Sequence, residues 1–281
     1  MKKIVKKIKL NYIFMIIGIL MCSYPIINGW ISSYKQQELI GSYEYEVEEK
    51  SNIDLEKEYE LAKKYNEILF KSDSAIVTNE EILSTLGNYE HILDLSGTGV
   101  MGTIQIPLIN VNLPIYHGTD DKVLSNAVGH IEYSSFPVGG KNTRALISAH
   151  RGLPTSKLFT RLDELKEGDL FFIKTCGKKL AYEINEIEVI KPEQMELLDI
   201  VENEDLVSLI TCTPYGVNTH RLIVTGHRVP YVEQQEEHIE PKMLSLRELA
   251  FSSLPFLCIV FLIFTKIKNK RKEKSIHEIQ E

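Results

Sequence analysis

Two long uncharged stretches, one near each end, restrict most strongly what this chain can fold into. Residues 10–31 contain no charged side chain, and this is roughly the length that a bilayer-spanning helix requires. Residues 249–265 form a second apolar run. Five lysines precede the first run, and the nine residues after the second hold six basic residues and one acid. Because basic flanks tend to stay in the cytoplasm, the sequence predicts two membrane anchors, cytoplasmic tails at 1–9 and 266–281, and an extracytoplasmic middle.

Each apolar run has an alternative interpretation. The first could be a cleaved signal peptide. Its C-terminal end, however, contains bulky residues such as Tyr24 and Trp30, where a signal peptide would have a small-x-small cleavage site. An uncleaved anchor is therefore favoured. The second is short for a spanning helix and contains Ser252 and Pro255, so a buried core helix is the alternative. The dense basic flank favours an anchor.

The charge of the intervening segment limits its partners. Residues 10–264 carry 21 basic and 36 acidic residues. A surface of this sign repels nucleic acid and anionic lipid. The overall composition, 43% hydrophobic and 25% charged, is that of a globular protein, which excludes collagen, a coiled coil and bulk disorder.

Residues 32–96 are predicted to form a helical extension that contains a loop. Apolar residues between Leu55 and Leu69 recur at the spacing of one helix face. The helical pattern breaks over residues 71–78, where Asp73 and two serines indicate a loop. The extension therefore resembles one or two amphipathic helices followed by a turn.

The pattern changes after residue 97 to short runs rich in β-branched residues, such as RALISAH, LVSLITC and HRLIVTGHRV, separated by Gly, Pro and Asn. Several short strands in residues 97–232 predict a mainly β fold, either a barrel or a sandwich. Residues 233–248 are polar and acidic and are predicted to form a linker to the second anchor.

Three reactive residues stand at the ends of predicted strands. His150 ends RALISAH, Cys212 ends LVSLITC, and Arg221 opens the strand that follows the turn-forming loop TPYGVNTH. Antiparallel pairing around that loop would bring Cys212 and Arg221 to one rim. A cysteine thiolate is a nucleophile, a histidine can move its proton, and an arginine can support an oxyanion. Together these groups point to acyl transfer.

The residues also have ordinary structural interpretations. Cys212 could be bonded to Cys176, because these are the two cysteines outside the apolar runs of an exported segment. His150 could be a hydrogen-bonded core histidine, and Arg221 could belong to a surface ion pair. The chain would then be a two-anchor binding protein without activity.

The remaining histidines suggest no metal site. Four of them could be considered as ligands, and their spacings match no pattern of metal-binding residues: His117, His130, His220 and His227. We therefore predict that the chain binds no metal.

The strings around these residues, SAHRGLP and ITCTPYGVNTHRLIVTGHR, resemble the signature of the sortase family. The segments GVMGTIQIP, LPIYHGT and FPVGG extend the resemblance over residues 97–230 and make it most similar to class C, the pilin-polymerising sortases. It implies a closed sortase-type β-barrel with an N-terminal helical extension and a transmembrane helix at each end. It also implies that no metal or organic cofactor is required.

The resemblance assigns a role to each candidate residue. Cys212 would attack the threonine carbonyl of an LPXTG-like sorting signal, His150 would act as an acid toward the leaving amine, and Arg221 would support the oxyanion or position the substrate. A pilin lysine would then resolve the thioester. The partners would be LPXTG-type surface proteins or pilin subunits, an amine acceptor and the membrane of a Gram-positive type surface. The alternative acceptor is a cell-wall peptide amine, which would make the chain a protein-anchoring sortase.

The chain departs from the class C pattern before the barrel. Class C sortases carry a lid with an Asp-Pro-aromatic motif, and the best match here is Asp73 followed by Ser74 and Ala75. The proline and the aromatic residue are both missing. Asp73 is therefore either a residue of a lid that reaches Arg221 or an ordinary loop aspartate.

Overall fold

The computed structural model describes residues 2–71, 89–153, 155–243, 249, 250, 253 and 255–268. Asp73 and the predicted lid loop lie outside these residues, as do residues 269–281 of the predicted C-terminal tail. The chain divides into two compact units, one of Met1–Ile31 with Met243–Glu281 and one of Ser32–Lys242.

The first predicted anchor lies in helix α1, Lys2–Glu49. Large apolar side chains on this helix are strongly exposed, among them Phe14, Met21 and Trp30. Ile13–Glu49 is the one helix among the described residues that is long and apolar enough to cross a membrane. The helix continues past residue 31, the predicted end of the anchor, and that boundary stays a prediction. Only the composition changes there, and no proline or glycine follows Ile31 until Gly41 to interrupt the helix.

The second predicted anchor is described in part. Residues 255–268 are helical, and their apolar side chains, such as Phe256 and Phe261, are exposed. At 1.5 Å per residue the described part of this helix is about 21 Å long, whereas the hydrocarbon core of a bilayer is roughly 30 Å thick. The second membrane span therefore stays a prediction.

Helix α2, Asn52–Lys71, forms where the apolar spacing predicts it. Ser51 separates it from α1 and caps its first turn, because the Ser51 hydroxyl accepts a hydrogen bond from the backbone N–H of Asp54 at 3.2 Å. Asn66 on the buried face exchanges two hydrogen bonds with the backbone of Phe136, of 2.7 and 3.0 Å. These bonds fix α2 against the β domain.

The second half of α1 also packs against the β domain. The Gln36 amide donates to the carbonyl of Asn126 at 2.6 Å and to the hydroxyl of Ser156 at 3.1 Å. Further along the helix, the buried Tyr43 hydroxyl donates to the carbonyl of Met101. The helical extension is therefore an integral part of the Ser32–Lys242 unit.

Eight strands follow: β1 Val100–Ile106, β2 Val111–His117, β3 Val128–His130, β4 Thr143–Ser148, β5 Leu170–Thr175, β6 Lys178–Ile190, β7 Asp205–Thr213 and β8 His220–Val229. They close into a barrel in the order β1-β2-β3-β4-β7-β8-β6-β5. The β2–β3 and β4–β7 pairs are parallel, and the other pairs are antiparallel. The predicted closed β-barrel is confirmed.

Alternating apolar residues fill the barrel, including Ile104, Phe171, Leu209 and Val224, none of which has measurable exposure. The packing is close enough to require a glycine on β8, because a Cβ at Gly226 would lie 2.5 Å from the Phe171 ring. Burial of such a core is the main favourable contribution to the stability of the barrel.

The first residues of the predicted linker pack against the barrel. Besides the short helix α3, Asp121–Leu124, this unit contains a second short helix in these residues, α4, Glu233–Glu237. Its Glu236 forms an ion pair of 2.6 Å with Lys179 on β6. The backbone N–H of Lys242 donates to the carbonyl of Leu108 at 2.8 Å. Residues 233–242 therefore form a strap across the barrel.

His130 on β3 is fully buried. Its Nε2 lies 2.8 Å from the Ser135 carbonyl oxygen and its Nδ1 lies 2.8 Å from the Tyr89 hydroxyl. Because a carbonyl only accepts, Nε2 carries the proton and Nδ1 accepts from Tyr89. Burial lowers the pKa of His130 to about 4.

This buried histidine predicts sensitivity to mild acid. Since the folded pKa of His130 lies below its ordinary value of 6.5, the unfolded chain binds the proton first as the pH falls. The free energy of unfolding should be highest above pH 6.5 and should decrease between pH 6.5 and 4, by about 3 kcal/mol in total. Urea unfolding of the full chain at several pH values, followed by tyrosine fluorescence, measures this. His130→Gln should flatten the dependence. The same substitution at the exposed His238 should leave it unchanged.

Candidate active site

Cys212 and Arg221 are direct partners across the antiparallel β7–β8 pair. Side chains of opposite residues in such a pair leave the sheet on the same face, with Cβ atoms roughly 5 Å apart. Both residues are partly exposed and stand where the two strands end. This pairing is the one expected from the turn-forming loop between them.

His150 lies level with Cys212 on the neighbouring strand. Strand β4 runs parallel to β7 and ends with Ser148 opposite Ile210. A backbone hydrogen bond of 3.1 Å from Ala149 to Ile210 continues the pairing beyond the end of β4. The same register places His150 opposite Cys212. Since residues two apart share a face of a strand, His150 leaves the sheet on the face of Ser148.

The Arg221 guanidinium is held by the β7–β8 loop. Its Nη1 donates to the carbonyl of His220 at 3.2 Å and, less closely, to the carbonyl of Asn218 at 3.4 Å. An arginine keeps its charge at any accessible pH and carries five N–H donors in a planar fork. Arg221 therefore supplies a fixed positive charge beside the Cys212 thiol.

A small apolar cluster adjoins the three residues on the same face of the sheet. Strand alternation places Leu146 on the face of His150, Ile210 on that of Cys212, and Ile223 on that of Arg221. Leu198 completes this cluster. It follows the 3-10 helix Pro192–Leu197 in the connection between β6 and β7. The loop after Cys212 adds two exposed apolar side chains, Tyr215 and Val217. The four side chains of the cluster are at most 4% exposed, so they support the sheet beneath the site. The apolar surface open to an extended peptide beside the thiol is that of Tyr215 and Val217.

A disulfide between Cys176 and Cys212 is excluded. Cys212 lies opposite Arg221, at the beginning of β8. Cys176 lies just before β6, and the part of β6 nearest to it pairs with Val229, at the end of β8. At about 3.3 Å per residue this strand separates them by roughly 25 Å, and a disulfide requires Cα atoms within about 7 Å. Both cysteines are free.

Cys176 is buried in the two-residue turn between β5 and β6, where it and Gly177 have positive φ. Its backbone N–H donates to the Tyr43 hydroxyl at 3.3 Å. Burial raises the pKa of the Cys176 thiol to about 11. Because the thiolate is the reactive form, this cysteine is chemically inert at neutral pH.

The four histidines considered as metal ligands are dispersed. His117 and His130 are neighbours on β2 and β3. Both ring nitrogens of His117 and Nε2 of His130 lie within 3.1 Å of backbone carbonyl oxygens. His220 and His227 lie at opposite ends of β8. Within the described part of the chain, no three His, Cys, Asp or Glu side chains are grouped to hold a metal ion.

Comparisons with known proteins agree with this geometry. A family profile described as "Sortase domain" matches residues 104–229. The chain is 31% identical to "Sortase A" of Streptococcus agalactiae over 216 residues, which cover 75% of this chain and 80% of that protein.

Solved structures of class C sortases are similar as well. Sortase C1 of S. agalactiae is 43% identical, with a TM-score of 0.65, and the match covers 69% of this chain and all of that one. Sortase C of Clostridium perfringens, solved with a C-terminal cell wall sorting motif, is 37% identical with a TM-score of 0.59, covering 69% of this chain and 99% of that one. The chain therefore belongs to the sortase family of cysteine transpeptidases.

Proposed function

We propose that Cys212, His150 and Arg221 cleave an LPXTG-like sorting signal and transfer its threonine to an amine. The observation that carries this proposal is the Cys212–Arg221 pair across β7 and β8, together with the continued β4–β7 register that brings His150, two residues beyond the end of β4, level with Cys212. The Cys212 thiolate attacks the threonine carbonyl, and the carbonyl electrons move to an oxyanion that the Arg221 guanidinium stabilises. The C–N bond then breaks, and His150 gives a proton to the leaving amine. A thioester remains on Cys212.

The second half of the reaction reverses the first. An incoming amine attacks the thioester carbonyl, loses a proton to His150 and forms an amide, and the Cys212 thiolate leaves. Neither step requires a metal or an organic cofactor. The exposed apolar side chains of Tyr215 and Val217, in the loop after Cys212, support a substrate with apolar residues before the threonine, as in LPXTG.

For the acceptor we propose a lysine side chain of a pilin subunit. The similar solved structures are class C sortases, and one of them, sortase C of Streptococcus pneumoniae, has been described as informative about pilin substrate specificity. The similarity to a sortase A supports the alternative, a cell-wall peptide amine. Both acceptors use the same barrel chemistry and differ only in the second step.

A competition assay separates the two acceptors. The full chain in detergent is given an LPXTG peptide together with equal amounts of a pilin-type lysine peptide and a cell-wall crossbridge amine. We expect the isopeptide to the lysine to predominate, measured by mass spectrometry. Preferential use of the crossbridge amine would contradict the pilin assignment while leaving the sortase chemistry intact.

We also propose that both termini are cytoplasmic and that the barrel is extracytoplasmic. The apolar part of α1, the exposed apolar side chains of residues 255–268 and the basic residues at both ends support this topology. Protease treatment of intact cells should remove the barrel and leave both terminal tails protected.

Asp73 is proposed as a residue of a loop that controls access to Cys212.

A further inference from the structure

Arg151, directly after His150, is more than nine-tenths buried. Its guanidinium joins the His150 loop to the end of the strand that carries Cys212. Nη1 donates to the hydroxyl of Thr213, the residue after Cys212, at 3.0 Å. Nη2 forms an ion pair with Asp163, which lies further along the connection between β4 and β5. One side chain thus bridges the two segments that hold the thiol and the imidazole.

The loop after Cys212 is held by the same guanidinium. The Tyr215 ring lies 5.9 Å from the Arg151 guanidinium carbon. The ring also packs on Gly152, where φ is +80° and a Cβ would lie 2.8 Å from a ring carbon. The β4–β5 connection and the β7–β8 loop therefore meet at Arg151 in close contact, with little room for either to shift.

This position requires an arginine for chemical reasons. A guanidinium offers two terminal nitrogens in a rigid plane and can bond two partners in different directions, whereas a lysine ammonium is a flexible point charge. A buried cation also needs an anionic partner, and Asp163 supplies it. Asp163 is 35% exposed, so its own charge remains partly hydrated.

We propose that Arg151 is a positioning residue that sets the distance between the Cys212 thiol and the His150 imidazole. The proposal rests on the catalytic roles proposed for those two residues. In the proposed reaction the adduct is bonded to Cys212 while His150 protonates the leaving amine, so this proton transfer depends steeply on the separation of sulfur and imidazole. A shift of about 1 Å can lower a rate by roughly two orders of magnitude. Arg151 acts on this separation through Thr213 and through its own backbone link to His150.

Arg161 provides a matched comparison in the same connection. It is as deeply buried as Arg151 and forms an ion pair of 2.7 Å with Glu164. Its guanidinium also contacts the carbonyl of Lys242 in the strap, away from the strand end at Cys212. A purely structural role for a buried arginine should therefore give Arg161→Lys and Arg151→Lys the same consequences.

The test uses the full chain in detergent and two readouts. Arg151→Lys should lower kcat for an LPXTG peptide roughly tenfold, with KM within about twofold, because alignment and not binding is lost. It should also shift the pH profile of Cys212 alkylation by iodoacetamide, with the modified site located by mass spectrometry. Thr213→Val removes only the hydroxyl partner, so it should shift the profile in the same direction and add less than about twofold on top of Arg151→Lys.

Arg161→Lys is expected to lower thermal stability without changing kcat or the pH profile of Cys212 alkylation. An unshifted alkylation profile in both Arg151→Lys and Thr213→Val would overturn the proposal. Thr213 is partly exposed, so its variant keeps the test decisive if Arg151→Lys fails to fold. Because alkylation needs no substrate, it tests the positioning role of Arg151 separately from the proposed peptide cleavage. If Cys212→Ala still cleaved peptide, the proposed function would fail, whereas the effect of Arg151 on the thiol would still be measured.

Discussion

Cys212→Ala should abolish cleavage of an LPXTG peptide, lowering kcat by at least about 10⁴-fold, while the barrel remains folded. Removing a covalent nucleophile eliminates the thioester pathway, so the remaining residues cannot compensate. Cys212 is partly exposed at a strand end, and the loss of its sulfur creates no large cavity. The melting temperature should therefore change by only a few degrees. Peptide cleavage by the full chain, measured by chromatography, and thermal unfolding by circular dichroism test both statements.

Cys176→Ala is the control for this experiment. It removes the other cysteine of the Ser32–Lys242 unit, which is buried in the β5–β6 turn. It should lower stability and retain peptide cleavage, the reverse of the Cys212 result. Cleavage that survives Cys212→Ala would contradict the assignment of the nucleophile. Isolation of a thioester between Cys212 and the peptide would identify it directly.

Arg221→Lys should lower kcat by about 10²-fold and Arg221→Ala by about 10³-fold, with smaller changes in KM. The positive charge beside the thiol acts mainly on the oxyanion, which exists in the transition state and not in the bound substrate. Lysine retains the charge but lacks the planar donors that the His220 and Asn218 carbonyls orient. Steady-state kinetics of both variants with an LPXTG peptide measure the two effects separately.

Arg228→Lys provides the matched control on the same strand. Arg228 lies near the other end of β8, where its guanidinium faces the Tyr182 ring at 5.5 Å. Because it is remote from Cys212, its substitution should leave kcat unchanged within about twofold. Equal losses in the two lysine variants would indicate a general effect of replacing an arginine on β8 and would refute an oxyanion role for Arg221.

Local pairing made part of the site predictable. Cys212 and Arg221 are nine positions apart in the sequence, and the loop between them contains Pro214 and Gly216. A hairpin around such a loop has few possible registers, so the expected cross-strand pair is the one observed. The strands were likewise predictable, because runs of β-branched residues indicate strands wherever they occur. That pattern left a barrel and a sandwich as alternatives, and the family resemblance implied the closed barrel.

The position of His150 was not predictable in the same way. Strand β4 pairs with β7 in parallel, and the two strands are separated by more than fifty residues. Nothing in the spacing of the sequence determines such a register, and only the family resemblance linked His150 to Cys212. The continuation of α1 past residue 31 was not predicted from the composition either. Composition marks where a membrane-spanning segment could end, whereas a helix continues until its hydrogen bonding is interrupted.

Local periodicity and residue type were enough to predict the elements and the chemistry available to this chain. They indicate an apolar helix flanked by basic residues, a set of strands, and reactive groups at strand ends. Which of these groups meet follows from the folded chain, which places His150 level with Cys212, separates Cys176 from it, and brings Arg151 onto Thr213 and Asp163. The reason is physical. Burial of a shared core selects the long-range pairings, and no local signal in the chain encodes them.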